Sequence, residues 1–276
     1  MLIGVIATVT AGCTIARPPE LNQPTIALPA RHQIRSGQFV FLSDFDLRAE
    51  HPLLHELDAL NEEIYQELRL PPSDRLVYVF LFNDRAAFES YLTDHYPELP
   101  PRRAYFLTWQ SPGGPQLRVL SFWGDQIQKD LRHELTHAAL HAVLPEVPLW
   151  LDEGLAEFFE PPPSWQGVNY RHLRDLDAGE PWRPNLLRLE KLTQVREMTA
   201  ADYREAWAWT HFLLRGSPTG RGLLLRYLTD LRTNSSPEPL SGRLQAAVPN
   251  AEEKVQEYLV KLSLSTRAIP AEATPK

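Results

Sequence analysis

The chain has 276 residues, of which 43% are hydrophobic and 23% are charged, so it has enough apolar residues to build a globular core. The 35 acidic residues outnumber the 28 basic ones, and the net charge of −7 argues against nucleic acid as a partner. The single cysteine excludes an internal disulfide. After residue 16, no stretch is long and apolar enough to cross a bilayer.

Residues 1–16 are apolar and end in small residues around Cys13, a pattern that resembles a bacterial lipoprotein signal peptide. We therefore expect export, either as a secreted protein or as a cell-envelope lipoprotein anchored to the membrane through a lipidated Cys13. Residues 17–36 contain four prolines and little hydrophobic pattern, which predicts a linker between this segment and the folded domain.

The folded domain is expected over residues 37–265, and the hydrophobic pattern predicts that its first part, to about residue 145, is α+β. A small mixed sheet is expected, because the strand and helix patterns alternate along the chain. The predicted strands are 38–44, 75–82, 104–109 and 116–123. The predicted helices are 50–69, 83–96 with Asn83 or Asp84 as N-cap, and 125–143.

After residue 145 the pattern predicts a C-terminal all-α subdomain. The predicted helices are 150–160, 200–215, 221–232 and 251–264. Between them, residues 164–200 are expected to be rich in loops with one helical piece at 186–192, and residues 233–242 form a polar connection. Residues 266–276 are expected to be a disordered tail.

The strongest functional signal is the sequence HELTH at residues 133–137, inside a predicted helix. Side chains at i and i+4 share one face of a helix, so His133 and His137 can bind a single Zn²⁺. Glu134, next to the first of these histidines, is placed to act as general base on a water that the metal activates.

A catalytic zinc needs a third protein ligand, and the candidates are His141, Asp152, Glu153 and Glu157. His141 is two turns from His133, and a straight helix cannot bring three successive turns to one ion, so we expect it to pack. Glu153 precedes Gly154, where a missing side chain allows another helix to approach, and this favours Glu153 as the ligand. Glu157 is then expected to support the site or to lie on the surface, and Asp152 to cap its helix or to orient a histidine.

HELTH followed by PLWLDEGLAEFFE resembles the gluzincin metallopeptidases, and most of all the bacterial peptidase MA-like domains of unknown function. The resemblance extends to VYVFLFNDRAAFESYL, RRAYFLTW and REAWAWTHFLL, and so covers roughly residues 75–230. It implies a zincin-like fold, Zn²⁺ held by His133, His137 and Glu153, and Glu134 as the base. Only 15 residues separate His137 from Glu153, and the G-x-M-E-N segment of the related aminopeptidases is absent, so aminopeptidase activity is not supported. The leading hypothesis is a zinc endopeptidase.

A peptidase of this kind needs a second group to stabilise the tetrahedral oxyanion, and Tyr203 and His211 on the predicted helix 200–215 are the candidates. The substrate is expected to be a peptide or protein, which could pair with strand 117–122 if that strand lies at a sheet edge. Two other hypotheses stay open: a catalytically silent envelope protein that uses the same fold for binding or assembly, and a metal-dependent hydrolase of a non-peptide amide.

Overall fold

The computed structural model describes residues 14–16, 27–177, 182–234 and 236–267. The chain divides into two compact units, Met1–Val147 and Pro148–Lys276, within two residues of the predicted change from α+β to all-α structure. Cys13, most of the predicted signal and linker segments, and residues 268–276 lie outside the described residues. Within the described part of the chain, no helix combines the length and the hydropathy needed to cross a membrane.

The first unit is built on one mixed sheet, in which the described strands follow the order β1-β5-β6-β4-β3-β2. Neighbouring strands run parallel in the pairs β1–β5, β3–β4 and β4–β6, and antiparallel in the pairs β2–β3 and β5–β6. The bounds are Thr14–Ala16 for β1, His32–Ser36 for β2, Phe39–Ser43 for β3, Val77–Phe82 for β4, Ala104–Ser111 for β5 and Gly114–Phe122 for β6.

Two strands fall where the sequence pattern predicts none. β1 belongs to the predicted signal segment, and β2 belongs to the predicted linker, so the sheet begins before residue 37. β2 is mostly exposed and carries little apolar pattern of its own. It forms because the chain reverses at Gly37, which has a φ of 53°, and pairs β2 with the buried strand β3.

The prediction that strand 117–122 could add a peptide strand is wrong, because β6 is an interior strand. It pairs with β5 on one side and with β4 on the other along nearly its whole length. Its backbone N–H and C=O groups are therefore engaged in the sheet, and no edge remains for a substrate to extend.

Three helices pack on this sheet: α1 (Pro52–Leu68), α2 (Arg85–His95) and α3 (Ile127–His141). Asp84 is the N-cap of α2, accepting a hydrogen bond from the Ala87 backbone N–H at 3.0 Å. The side chains of successive strand residues alternate between the two faces of the sheet. One face forms an aromatic-rich core with α2 that includes Phe82, Phe88 and Tyr105, and Phe106 lies on the other face against α3.

The described part of the second unit is helical. Its helices are α4 (Leu149–Phe159), α5 (Tyr170–Asp177), α6 (Leu186–Leu189), α7 (Ala200–His211), α8 (Pro218–Leu231), α9 (Leu240–Ala247) and α10 (Ala251–Arg267). A π-helical turn, Phe212–Gly216, follows α7. The sequence pattern does not predict α5, places a polar connection across the start of α9, and begins the tail two residues before α10 ends.

Candidate functional site

The HELTH motif lies in the middle of α3, the helix that follows β6 in the chain, as the sequence pattern predicts. The Nε2 atoms of His133 and His137 face each other at 3.3 Å, with the ring centroids 5.0 Å apart. Two nitrogens bound at about 2.0–2.1 Å to one tetrahedral Zn²⁺ would stand about 3.3 Å apart. The separation of the two nitrogens is therefore the one expected for two ligands of one zinc ion.

A phenylalanine on the strand beneath α3 packs against two of the histidine rings of the helix, His137 and His141. The Phe106 ring on β5 stacks against His137, with centroids 6.3 Å apart and an interplanar angle of 17°, and against His141 at 5.4 Å and 29°. His141 thus packs on the sheet, in agreement with the packing interpretation. Both imidazoles rest on one apolar ring, which restricts the rotamers available to His137.

Arg132 anchors the other side of α3 to α1. Its side chain is only 2% exposed, and its guanidinium lies 3.3 Å from the Glu56 carboxylate and 3.9 Å from that of Glu63. Gln128, one turn earlier, donates to the same Glu56 carboxylate. A buried cation needs such partners, because an unpaired charge in the interior is strongly unfavourable. The ion cluster therefore fixes the rotation of α3 about its axis.

Glu134 follows the first histidine and is 9% exposed. Its carboxylate influences Tyr105 on β5. Burial raises the pKa of Tyr105 to about 12, and the negative charge of Glu134 adds to that rise. The predicted base is thus a mostly buried carboxylate on the helix that carries both histidines. A carboxylate in such surroundings can accept a proton from an adjacent water.

The second acidic motif lies in α4, which starts at Leu149 with Pro148 as the N-cap residue. The predicted capping role of Asp152 is therefore wrong, since Asp152 is inside the helix and 0% exposed. Glu153 is 1% exposed. Burial of a carboxylate is energetically unfavourable unless the group is paired or binds a metal. Two adjacent buried acidic residues are therefore unusual in a helix that is otherwise largely apolar.

Gly154 lets α7 approach α4 closely, as the sequence analysis expects of this position. A Cβ atom at Gly154 would contact Thr210 Oγ1 and would lie 2.6 Å from the backbone oxygen of Ala206. Tyr203 is half-buried and stands three residues before Ala206, on the same face of α7. Tyr203 therefore lies about one helical turn before Ala206, the residue of α7 that Gly154 approaches.

His211, the other predicted oxyanion-stabilising residue, lies in an aromatic core and is 2% exposed. Its Nδ1 is 2.8 Å from the hydroxyl of Tyr258, and its ring packs against Phe158 and Trp207. Burial lowers the pKa of His211 to about 3, and the positive charge of Arg215 adds to this effect. His211 is thus a neutral, internally bonded imidazole, and this placement gives no support to the catalytic role predicted for it.

Sequence reasoning missed a polar cluster around Glu157 in the second unit. The carboxylate Oε2 of Glu157 accepts a hydrogen bond from Asn169 Nδ2 at 2.9 Å and lies 3.0 Å from His172 Nε2. Asn169 and His172 were missed because they fall in a segment interpreted as loop. The signal that could have revealed them is an Asn placed to cap a helix: its Oδ1 accepts a hydrogen bond from the His172 backbone N–H at 3.2 Å.

The comparisons with known proteins name no activity for the chain. The family described as "Protein of unknown function (DUF1570)" matches residues 128–237, which include α3, α4 and α7 apart from the first residue of α3. The search of curated proteins found no match. The chain is similar to the crystal structure of an M1 zinc metallopeptidase from Deinococcus radiodurans, with 14% identity and a TM-score of 0.40. That match covers 91% of this chain and 54% of the other, so the chain spans about half the length of that protein.

Proposed function

We propose that this protein is a zinc-dependent peptidase. The single observation that carries the proposal is the convergence of the His133 and His137 Nε2 atoms at 3.3 Å on a helix that also bears the mostly buried Glu134. Two imidazoles at that separation form half of a tetrahedral zinc site, and the H-E-x-x-H pattern supplies a carboxylate beside it.

We assign Glu153 as the third protein ligand. The support is chemical and comes from α4: Glu153 is a nearly fully buried carboxylate, and it stands beside a glycine that permits close helix packing. The resemblance of PLWLDEGLAEFFE to the gluzincin pattern assigns the same residue. Two histidines and one glutamate leave one coordination position for water, as in catalytic rather than structural zinc sites.

In the proposed reaction, bound Zn²⁺ would supply Lewis acidity toward a water molecule and toward the scissile carbonyl. Glu134 accepts the proton of the attacking water and delivers it to the leaving amine. Tyr203 is the better of the two predicted candidates to donate a hydrogen bond to the developing oxyanion. A phenol donor of this kind contributes most in a site from which water is largely excluded.

The substrate of such an enzyme is a peptide or protein, and we propose that it acts in the cell envelope or outside the cell. The support is the apolar N-terminal segment with small residues around Cys13, whose lipidation would hold the protein at a membrane.

The test compares the wild-type protein with Glu134→Gln and with Glu146→Gln, the same chemical change at an exposed residue of the first unit. Zinc content is measured by mass spectrometry, and cleavage is measured on casein and on a peptide library. We expect all three proteins to retain one zinc per chain. Cleavage should fall by about 10²–10⁴-fold in Glu134→Gln only, the usual contribution of a general acid–base group.

Three outcomes would contradict the proposal in different ways. A wild-type protein that binds no zinc would refute the metal site itself. Zinc binding with no cleavage of any peptide by the wild type would instead favour a binding or assembly role for the same fold, and cleavage of non-peptide amides alone would assign a different hydrolase.

A further inference from the structure

Arg118 on β6 lies on the face of the sheet that packs against α2, opposite the face that carries α3. Leu120, two residues later on the same face of the strand, belongs to the aromatic-rich core under α2. The Arg118 guanidinium stacks on two aromatic rings, with its Cζ 4.6 Å from the ring centroid of Trp109 and 5.6 Å from that of Phe80. Stacking on aromatic faces holds the guanidinium plane in one orientation.

This guanidinium has more hydrogen-bond donors than acceptors around it. Its Nη2 donates to Gln116 Oε1 at 2.8 Å. Within the described part of the chain, Nη1 and the buried Nε have no acceptor, and Arg118 forms no ion pair. Glu98, whose charge acts on the neighbouring Tyr96, does not pair with it either. Since a guanidinium carries five N–H donors, most of its hydrogen-bonding capacity is not used by these residues.

The charge of Arg118 is also uncompensated. The side chain is half-buried, and burial lowers the pKa of Arg118. The groups that oppose this fall in pKa are the tyrosines Tyr96, Tyr91 and Tyr78 rather than a carboxylate. A partly buried cation without a counter-ion is unfavourable, because no opposite charge offsets the loss of hydration. The sheet therefore holds an oriented positive charge for which the described residues supply no counter-ion.

The polar side chains beside Arg118 on the sheet offer further donors. Tyr78 on β4 is its direct cross-strand partner, and the Tyr78 hydroxyl has no hydrogen-bond partner within the described residues. Gln116 accepts from Arg118 through Oε1, which leaves its amide N–H groups without an acceptor in the same part of the chain. Trp109 on β5 lies opposite Gln116. These four half-buried side chains, here called the Arg118 patch, are reached by solvent.

We propose that the Arg118 patch is a binding site for a carboxylate group. A planar carboxylate matches the fork of a guanidinium, from which it accepts two parallel N–H bonds, and the Gln116 amide and Tyr78 hydroxyl offer donors for its other lone pairs. The patch holds a single positive charge, which balances one carboxylate. A phosphate monoester carries about −1.5 to −2 at neutral pH and would exceed that charge.

The test uses the full chain and two probes that differ in charge, N-acetylphenylalanine and N-acetylphenylalanine amide, with benzoate and inorganic phosphate alongside. Binding is measured by calorimetric titration and by the NMR signal of the Arg118 Nε–H. That proton is shielded from solvent, and its signal is identified by its loss in Arg118→Lys. We expect N-acetylphenylalanine to bind and its amide not to bind. Binding of benzoate as well indicates a site for carboxylates in general, whereas its failure to bind indicates the carboxyl terminus of a peptide.

Arg118→Gln should weaken the binding of N-acetylphenylalanine by about 10–100-fold, the usual effect of losing a charge-assisted hydrogen bond. Tyr78→Phe removes only a hydroxyl and should weaken binding by about 2–10-fold. It decides the question if circular dichroism shows that Arg118→Gln does not fold. Arg31→Gln is the matched control, since it makes the same change at an exposed arginine of the first unit and should leave binding unchanged.

Four results would overturn the proposal. Equal binding of N-acetylphenylalanine and its amide would show that the negative charge is not recognised. Tighter binding of phosphate than of either carboxylate would assign a different anion. Neither heat nor a change in the Nε–H signal with either carboxylate would make Arg118 a purely structural arginine. Wild-type affinity in both Arg118→Gln and Tyr78→Phe would place the bound carboxylate elsewhere on the protein.

Discussion

Gly154 is the residue at which a single methyl group should perturb the second unit most clearly. In Gly154→Ala, the new Cβ would lie 2.6 Å from the backbone oxygen of Ala206 and against Thr210 Oγ1. Non-bonded carbon and oxygen atoms rest about 3.3–3.6 Å apart. The Ala206 carbonyl would therefore have to recede by roughly 0.7–1 Å. A backbone group in the middle of α7 cannot make that shift alone, so α4 and α7 must separate.

Two opposing contributions set the expected magnitude. Replacing glycine by alanine inside a helix stabilises the helix by about 1 kcal/mol. Overpacking a filled interface costs about 1–3 kcal/mol, and the upper end applies here because the obstacle is backbone rather than a rotatable side chain. We therefore expect Gly154→Ala to lower the free energy of unfolding by about 2 kcal/mol.

The assay is urea and thermal unfolding of the full chain, followed by circular dichroism, with Gly222→Ala as the matched control. Gly222 lies inside α8, and a Cβ there would meet only the end of the flexible Arg226 side chain, at 3.4 Å. This control should raise the free energy of unfolding by about 0.4–1 kcal/mol. The two glycine-to-alanine changes should therefore have opposite signs.

The reasoning is refuted if Gly154→Ala is as stable as the wild type or gains stability as Gly222→Ala does. Such a result would mean that α4 and α7 separate at little cost, and that the glycine is not required for their close packing. A loss of stability in both variants would instead show that glycine at these positions matters for a reason other than the contacts of Gly154.

Two further predictions concern the helical unit. Because His211 has a pKa near 3 when folded and near 6.5 when unfolded, the unfolded state takes up its proton first, and stability should fall as the pH drops from about 6.5 toward 3. The free energy of unfolding should fall by at most about 1.4 kcal/mol per pH unit. Urea unfolding of the wild type and of His211→Gln between pH 7 and pH 5 measures this fall. The same pH dependence of stability in both proteins would contradict the prediction. Thr199 caps α7 by accepting a hydrogen bond from the Asp202 backbone N–H, and Asp202 accepts one from the Thr199 backbone N–H in return. Thr199→Ala should cost about 1 kcal/mol in thermal unfolding while Thr199→Ser should not, and equal stability of the two would argue against the cap.

The elements predicted best are those whose pattern is strong over many residues. α1 occupies residues 52–68 within a predicted 50–69, and its buried residues are the apolar ones that carry the helical period. α3 occupies 127–141 within a predicted 125–143. In both helices the apolar stripe needed for burial is present in the local sequence, so the period alone indicates the structure.

The elements missed are those whose own sequence contains few apolar residues. α5 has Leu173 as its one fully buried apolar residue, with Leu176 half-buried, and its first turn is capped by Asn169. β2 is an exposed strand that exists because it pairs with β3 across Gly37. Neither element could form from its own sequence preference, because the energy that stabilises each comes from a partner supplied by the rest of the chain.

The sequence by itself determined the pairing of His133 with His137, because four residues along a helix bring two side chains to one face wherever the helix lies. Only the tertiary structure decided the features that join residues distant in the chain. It enclosed β6 between two strands, placed His211 in an aromatic core, brought α7 against Gly154, and set Asn169 and His172 on Glu157. Local geometry repeats with the helical period, whereas these contacts depend on how separate elements pack, which no local pattern encodes.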